Sequence, residues 1–168
     1  MADTMNAIQL LTHDHREVEA LFEKFENASG DSKKQKIAHA ICTELKIHTM
    51  IEEEIFYPAL RGKISDDDLD EAMVEHDGAK VLINDIEAGE PSDQFYDAKV
   101  KVLQEDVEHH IKEEEKESGN LFSQARKTDV DLDALGAQMA ARKAELQKIA
   151  ETEGLPSAQP STLTEVEG

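Results

Sequence analysis

His48-Thr-Met-Ile-Glu52-Glu-Glu-Ile-Phe-Tyr-Pro58 decides how the rest of the chain reads. A histidine and a glutamate four residues apart lie one above the other on the same face of an α-helix. That face is otherwise apolar, since helical spacing from His48 also selects Ile37, Ile41, Leu45 and Ile55. An apolar stripe faces a core, and burying an imidazole and a carboxylate there without partners would cost on the order of several kcal/mol. The two groups therefore pair with something polar inside the fold or hold an ion there.

The same stripe organises the flanking segments. A helix containing the stretch is expected from about Ser32 to Leu60, with Pro58 near its end and Gly62 closing it. Upstream, Asn6-x-x-Gln9 reads as a capping box for a helix over 6–27 whose apolar side carries Ile8, Leu11, Val18, Phe22 and Phe25. His15 lies on that side, whereas His13 lies about 200° away around the helix. Downstream, Ser65-Asp-Asp-Asp-Leu69 starts a third helix with stripe Leu69, Met73, His76, Ile83 and Ile86. After Gly89-Glu-Pro91 a fourth helix repeats Tyr96, Val100, Leu103, Val107, His110 and Glu114 at alternating steps of four and three. That rhythm selects His110 over His109, which points toward Glu105, Asp106 and Glu113 and reads as solvated. Leu121–Lys127 reads as a short helical or turn segment. A fifth helix over about 132–153 offers Leu132, Leu135, Met139, Leu146 and Ile149 to the bundle or to a protein partner.

The expected architecture is all-α: an up-down-up-down antiparallel four-helix bundle over residues 1–127, a C-terminal helix within 128–153, and a tail at 154–168. With Pro156, Pro160 and few hydrophobic residues, that tail reads as disordered. The 168 residues make one domain, and 18 basic against 38 acidic residues, a net charge of −20, disfavour nucleic acid and anionic membranes as partners. The single cysteine, Cys42, forms no internal disulfide and reads as a packing residue. No apolar run approaches the roughly 20 residues of a membrane-spanning helix, and the N-terminus has no signal-peptide pattern, so a cytoplasmic location is expected.

His-x-x-x-Glu occurs five times in this glutamate-rich chain, so spacing alone says little. Position says more, because each of four successive helices places one histidine on its apolar stripe: His15, His48, His76 and His110. In the second and fourth helices the stripe continues into Glu52 and Glu114. His48 precedes Gly62 by 14 residues and His76 follows it by 14, which puts the two at one height in antiparallel neighbours. The other pairs differ by about one helical turn, within reach of loop adjustment. Four imidazoles and two carboxylates exceed the four-ligand shell of structural zinc and suit two ions. The donor set is compatible with iron or manganese and also admits zinc and copper.

Over residues 6–127 the chain resembles the hemerythrin-like proteins with HHE cation-binding domains. The resemblance rests on Leu10-Leu-Thr-His-Asp-His15, the His48–Pro58 stretch, Glu75-His76-Asp and His109-His-Ile-Lys-Glu-Glu-Glu115. It implies a non-haem, carboxylate-bridged centre of two iron ions, with zinc or manganese as alternatives. His15, His48, His76 and His110 are its implied terminal ligands, and Glu52 and Glu114 its bridges, with Glu115 as second choice for the latter. It further implies a small diatomic or peroxide ligand: dioxygen, nitric oxide or peroxide, bound, sensed, or turned over in an oxidase, peroxidase or iron-handling protein. Oxygen carriers of the family have a second third-helix histidine, where this chain has Ala72 and Lys80. One coordination position is thus left to water or to another residue, with Tyr57 and Tyr96 as the aromatic candidates. Ser118-Gly-Asn120 also interrupts the run that relatives continue into Phe-Pro, a change expected to loosen the end of the fourth helix.

Overall fold

Asn6 opens helix α1 (Ala7–Glu26) with a complete capping box in this computed structural model, which describes residues 4–164. Its side chain accepts from the Gln9 N–H at 2.9 Å, and the Gln9 side chain accepts from the Asn6 N–H at 3.0 Å. Helix α2 (Asp31–Ile51) begins one residue before the expected Ser32, because Gly30, at φ 93°, takes the left-handed turn and Asp31 follows directly.

The second helix does not run unbroken to Leu60. It widens into a π-helical turn over Glu52–Phe56 and resumes as the short α3 (Tyr57–Leu60). The Tyr57 N–H reaches back five residues to the Glu52 carbonyl. Pro58 supplies the physical reason, since its ring would collide with the carbonyl of Glu54 in a regular ladder and it has no N–H to donate. The wider turn brings Tyr57 over Glu52, and such turns concentrate at functional sites.

Helix α4 (Asp66–Ala88) is capped by Ser65, whose hydroxyl accepts from the Asp68 N–H at 3.2 Å, and α5 (Tyr96–Glu115) follows a short turn. Helices α1, α2, α4 and α5 pack in a closed ring of neighbours, the four-helix bundle expected, and the described residues contain no strand. Gly119, at φ 71°, reverses the chain after α5, and Asn120 caps α6 (Leu121–Arg126) by accepting from the Ser123 N–H at 2.8 Å. The Asn120 amide also donates to the carbonyls of Glu115 and Glu117, so this turn secures the end of α5 rather than loosening it. No helix is long and apolar enough to cross a membrane among the described residues.

The bundle core is divided. One apolar cluster gathers Leu11, Ile51, Phe56, Leu60, Leu69 and Phe122; the other gathers Phe22, Ile41, Cys42, Ile83, Tyr96 and Leu103. On α1 and α4 the buried histidines, His15 and His76, separate residues of one cluster from residues of the other. Burial pushes the Cys42 thiol up to about 12, which suits the packing role expected of it. Helix α7 (Leu132–Thr152) docks against α1 and α2 through Leu135, Met139 and Leu146. Gly136 lets it approach, since a Cβ there would lie 2.5 Å from the Met5 carbonyl oxygen.

The tail expected to be disordered is instead laid along the bundle as far as Thr164; residues 165–168 lie outside the described range. Gly154, at φ 79°, turns the chain out of α7. Lys46 Nζ donates to the Pro156 carbonyl at 3.1 Å, and Asn84 exchanges two hydrogen bonds of 2.9 Å with Ala158. Asp77 then accepts from the N–H groups of Ser161 (2.9 Å), Thr162 (2.6 Å) and Leu163 (2.8 Å), and from the Thr162 hydroxyl (2.7 Å). Burial would raise the Asp77 carboxyl, but these donors hold it well below the usual carboxylate range. The strap is anchored by polar side chains of the bundle, which is why a count of its hydrophobic residues misjudges it. Asp77→Ala removes the acceptor of four strap donors and of Lys80, so a loss of about 1–3 kcal/mol is expected. Loss of amide protection at 161–163 in hydrogen exchange would accompany it, and unchanged protection would refute the anchoring role.

Candidate metal centre

Each bundle helix brings one stripe histidine inward, and the six side chains expected from the sequence meet at mid-bundle. His15, His48, His76 and His110 are all buried, and Glu52 and Glu114 are each 0% exposed. The rings pair by helix neighbours: His15 and His48 have centroids 4.9 Å apart, His76 and His110 4.8 Å apart. Glu52 Oε1 lies 2.7 Å from His48 Nε2 and 3.5 Å from His76 Nε2. Glu114 Oε1 mirrors it at 2.8 Å from His110 Nε2 and 3.5 Å from His15 Nε2. Each carboxylate therefore stands between one ring of each pair.

These contacts are close without being hydrogen bonds throughout. Nε2 of His15 and of His48, both oxygens of Glu52 and Oε1 of Glu114 are buried with no partner in hydrogen-bond geometry. Orphaned buried polar atoms are costly unless something satisfies them. Two groups among these residues could each hold a metal ion: His15 with His48 and Glu114, and Glu52 with His76 and His110. The orphaned atoms are the donors such ions need, so the residues fit the role.

A second tier of carboxylates was missed in the sequence. His15 Nδ1 bonds Glu115 at 2.9 Å, His48 Nδ1 bonds Asp14 at 3.3 Å, His76 Nδ1 bonds Glu53 at 3.1 Å and His110 Nδ1 bonds Glu75 at 3.2 Å. A carboxylate only accepts, so each Nδ1 carries the proton and each Nε2 is turned inward. Every outer carboxylate belongs to the neighbouring helix, so the bonds run around the bundle from α1 to α2, to α4, to α5 and back to α1. Cations fix three of them: Lys143 of α7 bonds Asp14 at 2.5 Å, Lys80 bonds Glu53 at 3.0 Å, and Arg16 bonds Glu115. Ser161 of the strap also donates to Glu53. Glu115, the second choice for the inner carboxylate, is thus an outer partner of His15. Asp14→Asn should weaken metal retention about 10–100-fold, the usual cost of losing such a partner. Chelator competition measures this, and unchanged affinity would remove Asp14 from the site.

Tyr57, placed by the π turn, has its hydroxyl 3.4 Å from Nε2 of both His76 and His110 and 3.5 Å from Glu114. Burial, reinforced by Glu114 and Glu52, holds its phenol well above the usual range. Tyr96, the other aromatic candidate, lies in the second core cluster against Phe25. Lys80 is turned outward to Glu53 and Asp77, and Ala72 packs in the first cluster. Phe122 stacks on His15 at 5.9 Å, so α6 closes one side of the site. His13 and His109 are exposed, as their positions off the stripes imply.

The four histidines also form part of the wall of a cavity of about 230 Å³ between α1, α2, α4 and α5, which sequence reasoning gave no sign of. Its apolar walls come from the second core cluster and its neighbours, including Val18, Leu45, Ile83 and Val107.

Fold and site together define a helical bundle with a buried histidine–carboxylate centre able to hold two cations. The chain belongs to the Hemerythrin HHE cation binding domain family, whose model matches residues 6–121. It is similar to a DNA nickase of Nostoc sp. (strain PCC 7120), at 30% identity over 111 residues, 66% of this chain and 32% of that protein. The chain thus spans about a third of that relative's length. Its fold is that of the crystal structure of a hemerythrin HHE cation binding domain-containing protein from Mycobacterium kansasii. That match has a TM-score of 0.74 at 24% identity and covers 90% of this chain and 95% of the other.

Proposed function

We propose that the centre holds two iron ions and binds a small neutral molecule, dioxygen, nitric oxide or a peroxide. The supporting observation is the convergence of six buried ligand-type side chains, four of which (His15, His48, Glu52 and Glu114) turn inward atoms that lack hydrogen-bond partners. Imidazole and carboxylate donors without thiolate suit iron, and the same set accepts zinc or manganese. Bound iron would supply Lewis acidity and redox capacity. The chain's own residues do the rest: the outer carboxylates fix ring tautomer and orientation, and the apolar clusters exclude water. Tyr57 stands beside the His76 and His110 rings, where it can donate a hydrogen bond or complete the coordination left incomplete by Ala72 and Lys80.

A second reading, a di-iron oxidase or peroxidase, is favoured by the cavity against the four rings and by the phenol beside them. The nicking activity in the Nostoc relative's name is not extended to this chain, whose net charge of −20 repels a phosphate backbone. Anaerobic reconstitution with ferrous iron, followed by oxygen or nitric oxide, tests the leading reading. A ligand-to-metal charge-transfer band is expected with at least one gas, and its absence with both contradicts the proposal. Turnover of peroxide abolished by His76→Ala would favour the second reading.

A further inference from the structure

The cavity beside the histidines is too large for the ligands so far named. An engineered cavity of roughly 150 Å³ holds benzene and a water molecule takes roughly 30 Å³. At about 230 Å³ this one accommodates a guest somewhat larger than benzene, several times the size of a diatomic gas or hydrogen peroxide. Val18, Leu45, Ile83, Val107 and Ile111 give it apolar walls, and the four imidazoles supply its polar face. A polar end would meet the rings and an apolar body the aliphatic side chains.

Its rim selects by charge. Glu44 and Asp106 line the cavity, as do Asp14, whose charge is committed to Lys143 and His48, and Glu75, committed to His110. No lysine or arginine lines it. An anionic guest, such as a carboxylate, meets Glu44 and Asp106 on entry, and the imidazoles within are already paired with Glu52, Glu114 and the outer carboxylates, so it is disfavoured relative to a neutral one.

We propose that the cavity binds a neutral organic hydroperoxide of about six to nine non-hydrogen atoms, with its O–O–H end at the histidines and its alkyl body among the aliphatic side chains. The choice of a hydroperoxide rests on the proposed iron centre, because of that centre's ligand classes only an organic peroxide has a body of this size. Occupancy of the cavity does not rest on it. The two can fail separately.

Titrating metal-free, isotopically labelled protein with tert-butyl hydroperoxide avoids redox chemistry and reads the cavity alone. Saturable one-site binding is expected, with methyl shifts at Val18, Leu45 and Val107. Hydrogen peroxide should leave those methyls unmoved, and hexanoate should bind at least tenfold more weakly. Val107→Phe, which fills the cavity from α5, should weaken binding at least tenfold while keeping the melting temperature, and Ala79→Leu, which fills it from α4, decides the matter if Val107→Phe does not fold. Absence of saturation, hexanoate binding as tightly, or binding indifferent to the filling variant would overturn the proposal. Repeating the titration with metal-loaded protein should tighten binding and place the hydroperoxide at the ions. Binding to metal-free protein that never retains iron would instead sink the iron centre and leave the cavity standing.

Discussion

Exchanging Glu52 and Glu114 together for glutamine should leave the bundle folded and unable to retain metal. Both side chains are fully buried, and each stands between a ring of one histidine pair and a ring of the other. Glutamine keeps their shape, so packing against the two core clusters is preserved. It removes both negative charges that would offset two divalent ions in a site screened from water. Loss of an outer partner typically lowers affinity about 10–100-fold, so loss of both inner carboxylates should exceed about a hundredfold. Elemental analysis after desalting, with far-UV circular dichroism as the folding control, measures this. Wild-type metal content in the double variant would show that the carboxylates are not ligands.

The second large effect is on stability against pH in the metal-free protein. Burial pulls the His48 imidazole down, but the charge of Glu52 and the bond to Asp14 outweigh it, and His48 is raised from an ordinary 6.5 to about 10. His110 and His15 move the same way against burial, held by Glu114 and, respectively, by Glu75 and Glu115. A raised folded-state value means stabilisation fully present below the unfolded value and lost as pH rises through the folded one. Metal-free protein should therefore lose stability from about pH 6.5 to about pH 10. The loss is on the order of a few kcal/mol, or about 5–10 °C in Tm for a chain this size.

Glu52 shifts oppositely: burial raises it, but His48 and His76 hold it well below its ordinary 4.5. Its contribution is present above that value and is lost as the pH falls through the depressed one. Bound ions would take the place of the imidazole protons. Metal-loaded protein should then keep its Tm over the alkaline range, and binding near neutrality should release protons, seen as a dependence of the calorimetric enthalpy on buffer. A metal-free Tm that stays flat or rises across that range would contradict the pairing of these imidazoles with the carboxylates.

The bundle and the inner residues were legible because both follow one periodicity. A stripe at 3.6 residues per turn selected His15 over His13 and His110 over His109, and loop positions matched the heights. The outer carboxylates were not, because each serves a histidine of another helix, and in a chain with 38 acidic residues no single one stands out. A signal was nonetheless present. Asp14-His15 and Glu75-His76 pair with His48-x-x-x-Glu52-Glu53 and His110-x-x-x-Glu114-Glu115, an internal repeat of about 60 residues. The outer carboxylate precedes the inner residue on α1 and α4 and follows it in the π turn after α2 and on α5. On antiparallel helices a step back on one and a step forward on the next turn the same way around the bundle axis. That is the ring of bonds found.

Tyr57 could be named only alongside Tyr96, for a different reason: counting at 100° per residue puts it away from the Glu52 face, and only the π turn imposed by Pro58 brings it back. The strap beyond Gly154 escaped because its anchors, Lys46, Asp77 and Asn84, lie on other helices and act through polar bonds.

The central claim, that these six side chains hold two ions, is tested most directly by counting metal in the purified protein after anaerobic ferrous reconstitution and desalting. About two irons per chain are expected, because buried donors matched in this way retain metal. Fewer than about a tenth of that would contradict the claim and leave a helical bundle whose core histidines are satisfied by their carboxylates alone.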